Sequence, residues 1–189
     1  MNVKIFCILC MLVLVLKVRA QDTLSIKLYA KNGDNSQTIL SALNTKSNHP
    51  LKIIFTKGTY TIFKSLVTFR DNTKIIFEKG AKLKILRNDI YGLVVQHNRI
   101  LIDNALFEGN GVSASDIHIS SGIMIRGSKN VVVKNSRFYG ISGIPIFISR
   151  SEKGQGVDDV KILNKPVVHY EMKKTRVVHL YRFIAKTIY

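Results

Sequence analysis

Two ten-residue stretches, LKIIFTKGTY (residues 51–60) and TKIIFEKGAK (residues 73–82), repeat one another after 22 residues. Each reads Lys-Ile-Ile-Phe, a variable residue, then Lys-Gly. Further on, ILIDNALFEG (residues 100–109) lies over VVVKNSRFYG (residues 131–140) at an offset of 31, and VKILN (residues 160–164) follows 29 residues later. A second series is interleaved: GLVVQ (residues 92–96), GIMIR (residues 122–126) and GIPIF (residues 143–147). A self-similar unit of this length is the signature of a stacked repeat architecture, in which no unit can bury its apolar face alone. Within each unit the apolar residues alternate over three to five positions, the period of a strand with one face in and one face out. Gly, Asn and Ser split the strands, and no helical period runs through residues 51–164. A leucine-rich repeat would place Leu at fixed positions and return through a helix, and neither is present. The expected fold is therefore all-β: a parallel β-helix, a solenoid whose coils stack on one another.

Stacking the repeats assigns columns. Ile53, Ile75, Ile100, Val131 and Val160 are expected to point inward, as are Phe55, Phe77, Ile102, Val133 and Ile162. Asn104, Asn135 and Asn164 fall at one turn, where stacked amides can hydrogen-bond as a ladder. At the N-terminal end, GDNSQTILSALN offers Asp34 or Asn35 as a helix cap, with Ile39, Ala42 and Leu43 on one face. A short helix is expected to cover the first coil there, because an open solenoid end exposes strand edges and core.

The repeat domain is expected to span residues 21–164, with flanking segments of a different character. Residues 1–20 carry Lys4, an apolar run of twelve residues (5–16) and Val18-Arg19-Ala20, the pattern of a cleaved export signal. A bilayer span needs about 20 apolar residues. The alternatives are a retained anchor or a buried helix; no other segment could be transmembrane. This reading implies a secreted or periplasmic protein. Cutting after Ala20 removes both cysteines, so no disulfide would support the mature fold. It also removes Lys4, Lys17 and Arg19 and no acid, leaving +14 of the formal +17. Residues 165–189 hold six Lys or Arg against one Glu. They read as a capping helix, as a basic amphipathic helix at a membrane surface, or as a stretch foreign to the fold left by a truncated gene or shifted frame.

The positive charge favours acidic partners. For an exported chain these are acidic polysaccharides or cell-surface polymers, with bare solubility as the plainer explanation. No RNP, zinc or helix-turn-helix pattern supports a nucleic-acid module.

The stretches NGDNSQTILSAL, IIFTKGTYTI and LVTFRDNTKIIFEKGAKLKI, with LFEGNG and NVVVKNSRFYG after them, resemble the pectate-lyase-like right-handed parallel β-helix superfamily. The resemblance covers about residues 30–164. It implies a right-handed coil and a carbohydrate-active protein, and the superfamily includes polysaccharide lyases, glycoside hydrolases, epimerases, tailspikes and adhesins. Fold alone does not choose among them. The polygalacturonase groups are missing apart from Asp158-Asp159, and the Asp-Pro-His-Gly motif of alginate epimerases is absent, so no catalytic motif carries over.

The residues themselves suggest one candidate site. Aligning the repeats places Thr56, Glu78, Asp103, Lys134 and Leu163 in one outward column, about 4.8 Å apart. Glu78 and Asp103 could hold Ca2+ against an acidic sugar, and Lys134 could remove the proton alpha to a uronate carboxylate. Arg126, Arg137 and Arg150 could pair with sugar carboxylates. The plain alternative is a solvated ion-pair ladder. His118, near Asp116, is expected to be exposed or hydrogen-bonded rather than catalytic. Two functions follow: a lyase or hydrolase of acidic polysaccharide, complete or as an inactive fragment, or a noncatalytic β-helix that binds surface glycans.

Overall fold

The computed structural model describes residues 22–111 and 120–163 and the backbone of the strand Val167–His169. The expected export signal, His118 with Asp116, Asn164 and the side chains of the basic tail lie outside the described residues. The chain winds as a parallel β-helix of about five turns. Three walls form it. Wall A stacks Leu24–Leu28, Leu51–Phe55, Thr73–Phe77, Ile100–Asp103, Lys129–Lys134 and Asp158–Leu163. Wall B stacks Gly58–Ile62, Ala81–Ile85, Leu106–Glu108, Arg137–Tyr139 and Val167–His169, and wall C stacks Leu66–Val67, Leu93–Val95, Ile123–Arg126 and Ile146–Ser149. All of these pairings are parallel. No described helix is long and apolar enough to cross a membrane.

The inward positions fill one continuous core. Ile53, Ile75, Ile100, Ile102, Val131 and Val133 are all buried, as alternation requires. The registers differ from the sequence alignment, however. Ile75 pairs with Ile102 and Thr73 with Ile100, so the early coils sit two residues further along than the repeats suggested. Wall C slips in the same way: Ile146, not Ile144, pairs with Ile123. A slip of two preserves inward and outward parity, which is why the burial pattern survives it.

The cause lies in the corner between walls A and B. The chain takes seven residues from Ile76 to Leu83, but four from Asp103 to Phe107, their partners on the next coil. In the early coils Phe55 and Phe77 end wall A and stack with ring centroids 4.3 Å apart. In the later coils an Asn turns the chain at that point, and the ring comes from wall B. Phe77 meets Phe107 at 6.2 Å, and Phe107 stacks on Phe138 at 5.1 Å. One aromatic ladder thus changes walls midway along the core, with Tyr60 edge-on to Phe55 at its N-terminal end.

Asn104 and Asn135 do share that corner, both with positive φ (57° and 53°). Their amides reach back to the preceding coil, Asn104 to the Phe77 carbonyl (2.8 Å) and Asn135 to the Asp103 carboxylate (2.9 Å), so between these two the expected amide-on-amide rung is corrected to coil-to-coil staples. The opposite corner, from wall C to wall A, holds a second left-handed column: Asn72, Arg99, Asn130 and Asp159, with φ between 47° and 56°. Where two glycines stack, space decides the residue: a Cβ on Gly109 would lie 2.1 Å from the Gly140 carbonyl oxygen of the next coil.

The helix Ser36–Leu43 buries Ile39, Ala42 and Leu43 against the first coils, as its apolar face predicted. Asn35 occupies the cap position without a side-chain bond to the helix, while Asp34 accepts the Ser36 backbone N–H (2.8 Å) and hydroxyl. The hydroxyl bond, opposed by desolvation and aided by the backbone one, holds the Asp34 carboxyl below its ordinary value. At the other end Val160 is half-buried, but Ile162, expected inside, is 37% exposed beside Leu163. Their strand, the last of wall A among the described residues, is paired on one edge only.

Candidate functional site

The expected catalytic column divides. Asp103 and Lys134 are in register on neighbouring coils, and Lys134 Nζ lies 3.2 Å from Asp103 Oδ2. The other carboxylate oxygen of Asp103 accepts the Asn135 amide at 2.9 Å. Glu78 does not join them. The position across from Asp103 is Ile76, and Glu78 stands in the corner beyond Phe77, where its carbonyl accepts the Ala81 N–H. The two-residue slip therefore removes one carboxylate from the pair that was to hold Ca2+. Among the described residues no three His, Cys, Asp or Glu side chains are grouped to hold a metal.

The three arginines are spread over the coil. Arg126 ends a wall C strand and bonds Glu152 at 2.8 Å. It is separated from Lys134 by the whole strand Lys129–Lys134, about 16 Å at 3.3 Å per residue. Arg137 opens the wall B strand just past the corner from Lys134 and is exposed. Arg150 is exposed in the loop after Ile146–Ser149. Asp103, Lys134 and Arg137 are thus close in the fold, while Arg126 and Arg150 lie elsewhere.

The same wall also carries unpartnered charge. On wall A, Lys52 pairs in register with Lys74, and Lys27 sits one column over on the first strand. No carboxylate pairs with any of these three lysines among the described residues. Like charges on directly opposed strand positions are destabilising, so the Lys52–Lys74 rung costs the fold something that packing does not require. The lysine column continues on the next coils as Leu101 and Val132, and the column beside it runs Ile54, Ile76, Asp103 and Lys134; its two isoleucines, Leu101 and Val132 face outward and are half-buried. The lysine rung is thus bordered on two sides by half-buried apolar side chains. On wall B, by contrast, Lys82 and Lys84 flank Glu108 at 2.7 and 3.7 Å and share its one negative charge.

The sequence did hold the signal for the lysine rung. An identical Lys-Ile-Ile-Phe in consecutive coils must stack like upon like, so the repeat that fixed the fold also set Lys52 on Lys74. A search for acid–base pairs passes over it, because its chemistry lies in what it lacks.

Compared with known proteins, the chain matches no family model, no curated protein and no solved structure.

Proposed function

We propose that the protein is an exported β-helix that binds an acidic polysaccharide along the outer face of wall A. The observation that carries this reading is the like-charge rung of Lys52 and Lys74, with Lys27 beside it and no counter-ion among the described residues. Violations of local rules without structural gain concentrate at functional sites. The rung sets two cations about 4.8 Å apart, suited to neighbouring charged sugars of a polymer, and the adjoining Ile54 and Ile76 offer apolar contact to pyranose ring faces. Export rests on the N-terminal pattern of residues 1–20, and a carbohydrate ligand on the resemblance of the coils.

Lyase chemistry is the second reading, favoured by the Asp103–Lys134 pair beside exposed Arg137. Both Asp103 oxygens are already engaged and Glu78 stands apart, so the binding reading accounts for more of the geometry. The test is affinity of the full chain for immobilised polyuronates and for neutral polysaccharides, with the soluble products examined for unsaturated ends. Salt-sensitive retention by the polyuronates without turnover is the expected result. Equal retention by neutral polymers would overturn the binding reading, and new unsaturated ends would replace it with the lyase one.

A further inference from the structure

Beside the lysine rung a cleft of about 400 Å3 opens between the loop that follows the helix and the corner that starts the third strand of wall A. That volume lies within the usual range for small-molecule sites. We infer that this cleft receives one carboxylated sugar residue, the end of the chain that lies on the lysine face. The inference rests on the acidic-glycan reading above and adds to it a specific subsite.

Its lining has the required chemistry. Phe69 is 43% exposed at the corner, and the electron-rich face of an aromatic ring attracts polarised C–H groups such as those on one face of a pyranose. Arg70 lies across the cleft and donates to the Thr45 carbonyl (3.3 Å) and the His49 carbonyl (2.6 Å). A guanidinium carries five N–H donors in a planar fork suited to a carboxylate, so these two bonds leave donors over. Among the described residues no acid pairs with Arg70 or with exposed Lys46. The one carboxylate in the lining, Asp71, is occupied on both oxygens, by the Asn98 N–H (2.9 Å) and by Arg99 (3.0 Å). Asn48 and Asn72 add amides that can pair with sugar hydroxyls. The cleft is therefore cationic, with one aromatic wall and a polar rim.

Its position ties it to the proposed face. Asn72 precedes Lys74 by two residues, about 7 Å along an extended strand, and its carbonyl accepts the Leu51 N–H of the neighbouring coil at 3.0 Å. The cleft thus lies at the edge of wall A, within two residues of the rung formed by Lys52 and Lys74.

The experiment uses the full chain, with glucuronate and galacturonate, the neutral sugars glucose and galactose, and a polyuronate, followed by saturation-transfer NMR and calorimetry. Phe69→Ala and Lys46→Gln are the main variants, because Arg70 also holds the loop and its loss could disturb the fold; thermal melts confirm folding. A monosaccharide uronate is expected to bind in preference to its neutral counterpart. Phe69→Ala should weaken it about tenfold and Lys46→Gln about threefold, with Lys82→Gln/Lys84→Gln on wall B sparing it. Unchanged uronate affinity in both cleft variants, or equal binding of neutral sugars, overturns the cleft. Polyuronate binding without monosaccharide binding also overturns the cleft and leaves the lysine face standing. Monosaccharide binding without polymer binding keeps the cleft and removes the lysine face, and no binding of either removes both.

Discussion

Phe107 is the point where the aromatic ladder crosses from wall A to wall B, and its removal is the sharpest test of how the core is built. The ring is fully buried, 6.2 Å from Phe77 and stacked 5.1 Å from Phe138. Truncating a buried Phe to Ala costs about 3–5 kcal/mol through lost transfer energy and the cavity left behind. Each aromatic pair adds about 0.5–1.5 kcal/mol beyond area burial, so Phe107→Ala belongs no lower than the middle of that range, about 4 kcal/mol. For a chain of this size about 2–4 °C of Tm accompanies each kcal/mol, which gives a fall of about 8–16 °C in a melt followed by far-UV circular dichroism. The wall change makes a finer claim. A double-mutant cycle of Phe77→Leu with Phe107→Leu should show a coupling of about 0.5–1 kcal/mol, smaller than that between stacked Phe107 and Phe138. A Tm shift under about 3 °C for Phe107→Ala, or no coupling between Phe77 and Phe107, would mean that the ladder does not pass between the walls.

Arg99 holds a left-handed backbone (φ 56°) in a column otherwise filled by Asn and Asp; that conformation costs a long side chain about 1–2 kcal/mol, while its bonds to Asn72 and Asp71 are exposed, so Arg99→Asn should raise the Tm by a few degrees, and a fall would refute the strain argument. Gly109→Ala should destabilise by several kcal/mol or block folding, because its methyl would meet the Gly140 carbonyl at 2.1 Å; a wild-type melt would show the coils to be further apart than described. Burial raises the Tyr60 phenol above its ordinary value, opposed by its bonds to Thr56. The folded state therefore favours the neutral phenol, and this stability is complete below about pH 10 and lost as pH rises through the folded value. Urea titrations at rising pH should show a steeper alkaline loss for the wild type than for Tyr60→Phe, and identical slopes would count against the assignment.

Much of the solenoid was legible because parity is robust. Ile53, Ile75, Ile102 and Val133 are buried whichever even register is chosen, so alternation alone identified them. The register was not legible, because a corner three residues shorter in the later coils moves the aromatic side chain from Phe77's wall to Phe107's without disturbing alternation. That shift is what carried Glu78 out of the column of Asp103 and Lys134. The second left-handed corner escaped notice because Arg99 and Asp159 break its Asn pattern. The cleft could not be seen at all: Lys46 and Phe69 are 23 residues apart, and only the winding of the coil brings their segments together.

The central claim is that charge arrangement, and not total charge, selects an acidic polymer. It is tested most directly by the salt dependence of polyuronate binding in two variants that remove equal charge from different walls. Lys52→Gln/Lys74→Gln strips the unpartnered rung, and Lys82→Gln/Lys84→Gln strips the lysines that flank Glu108. The account predicts a marked loss of affinity and a shallower salt dependence for the first variant, with the second close to wild type. Equal losses in both would show that net charge alone attracts the polymer, and would contradict a binding face on wall A.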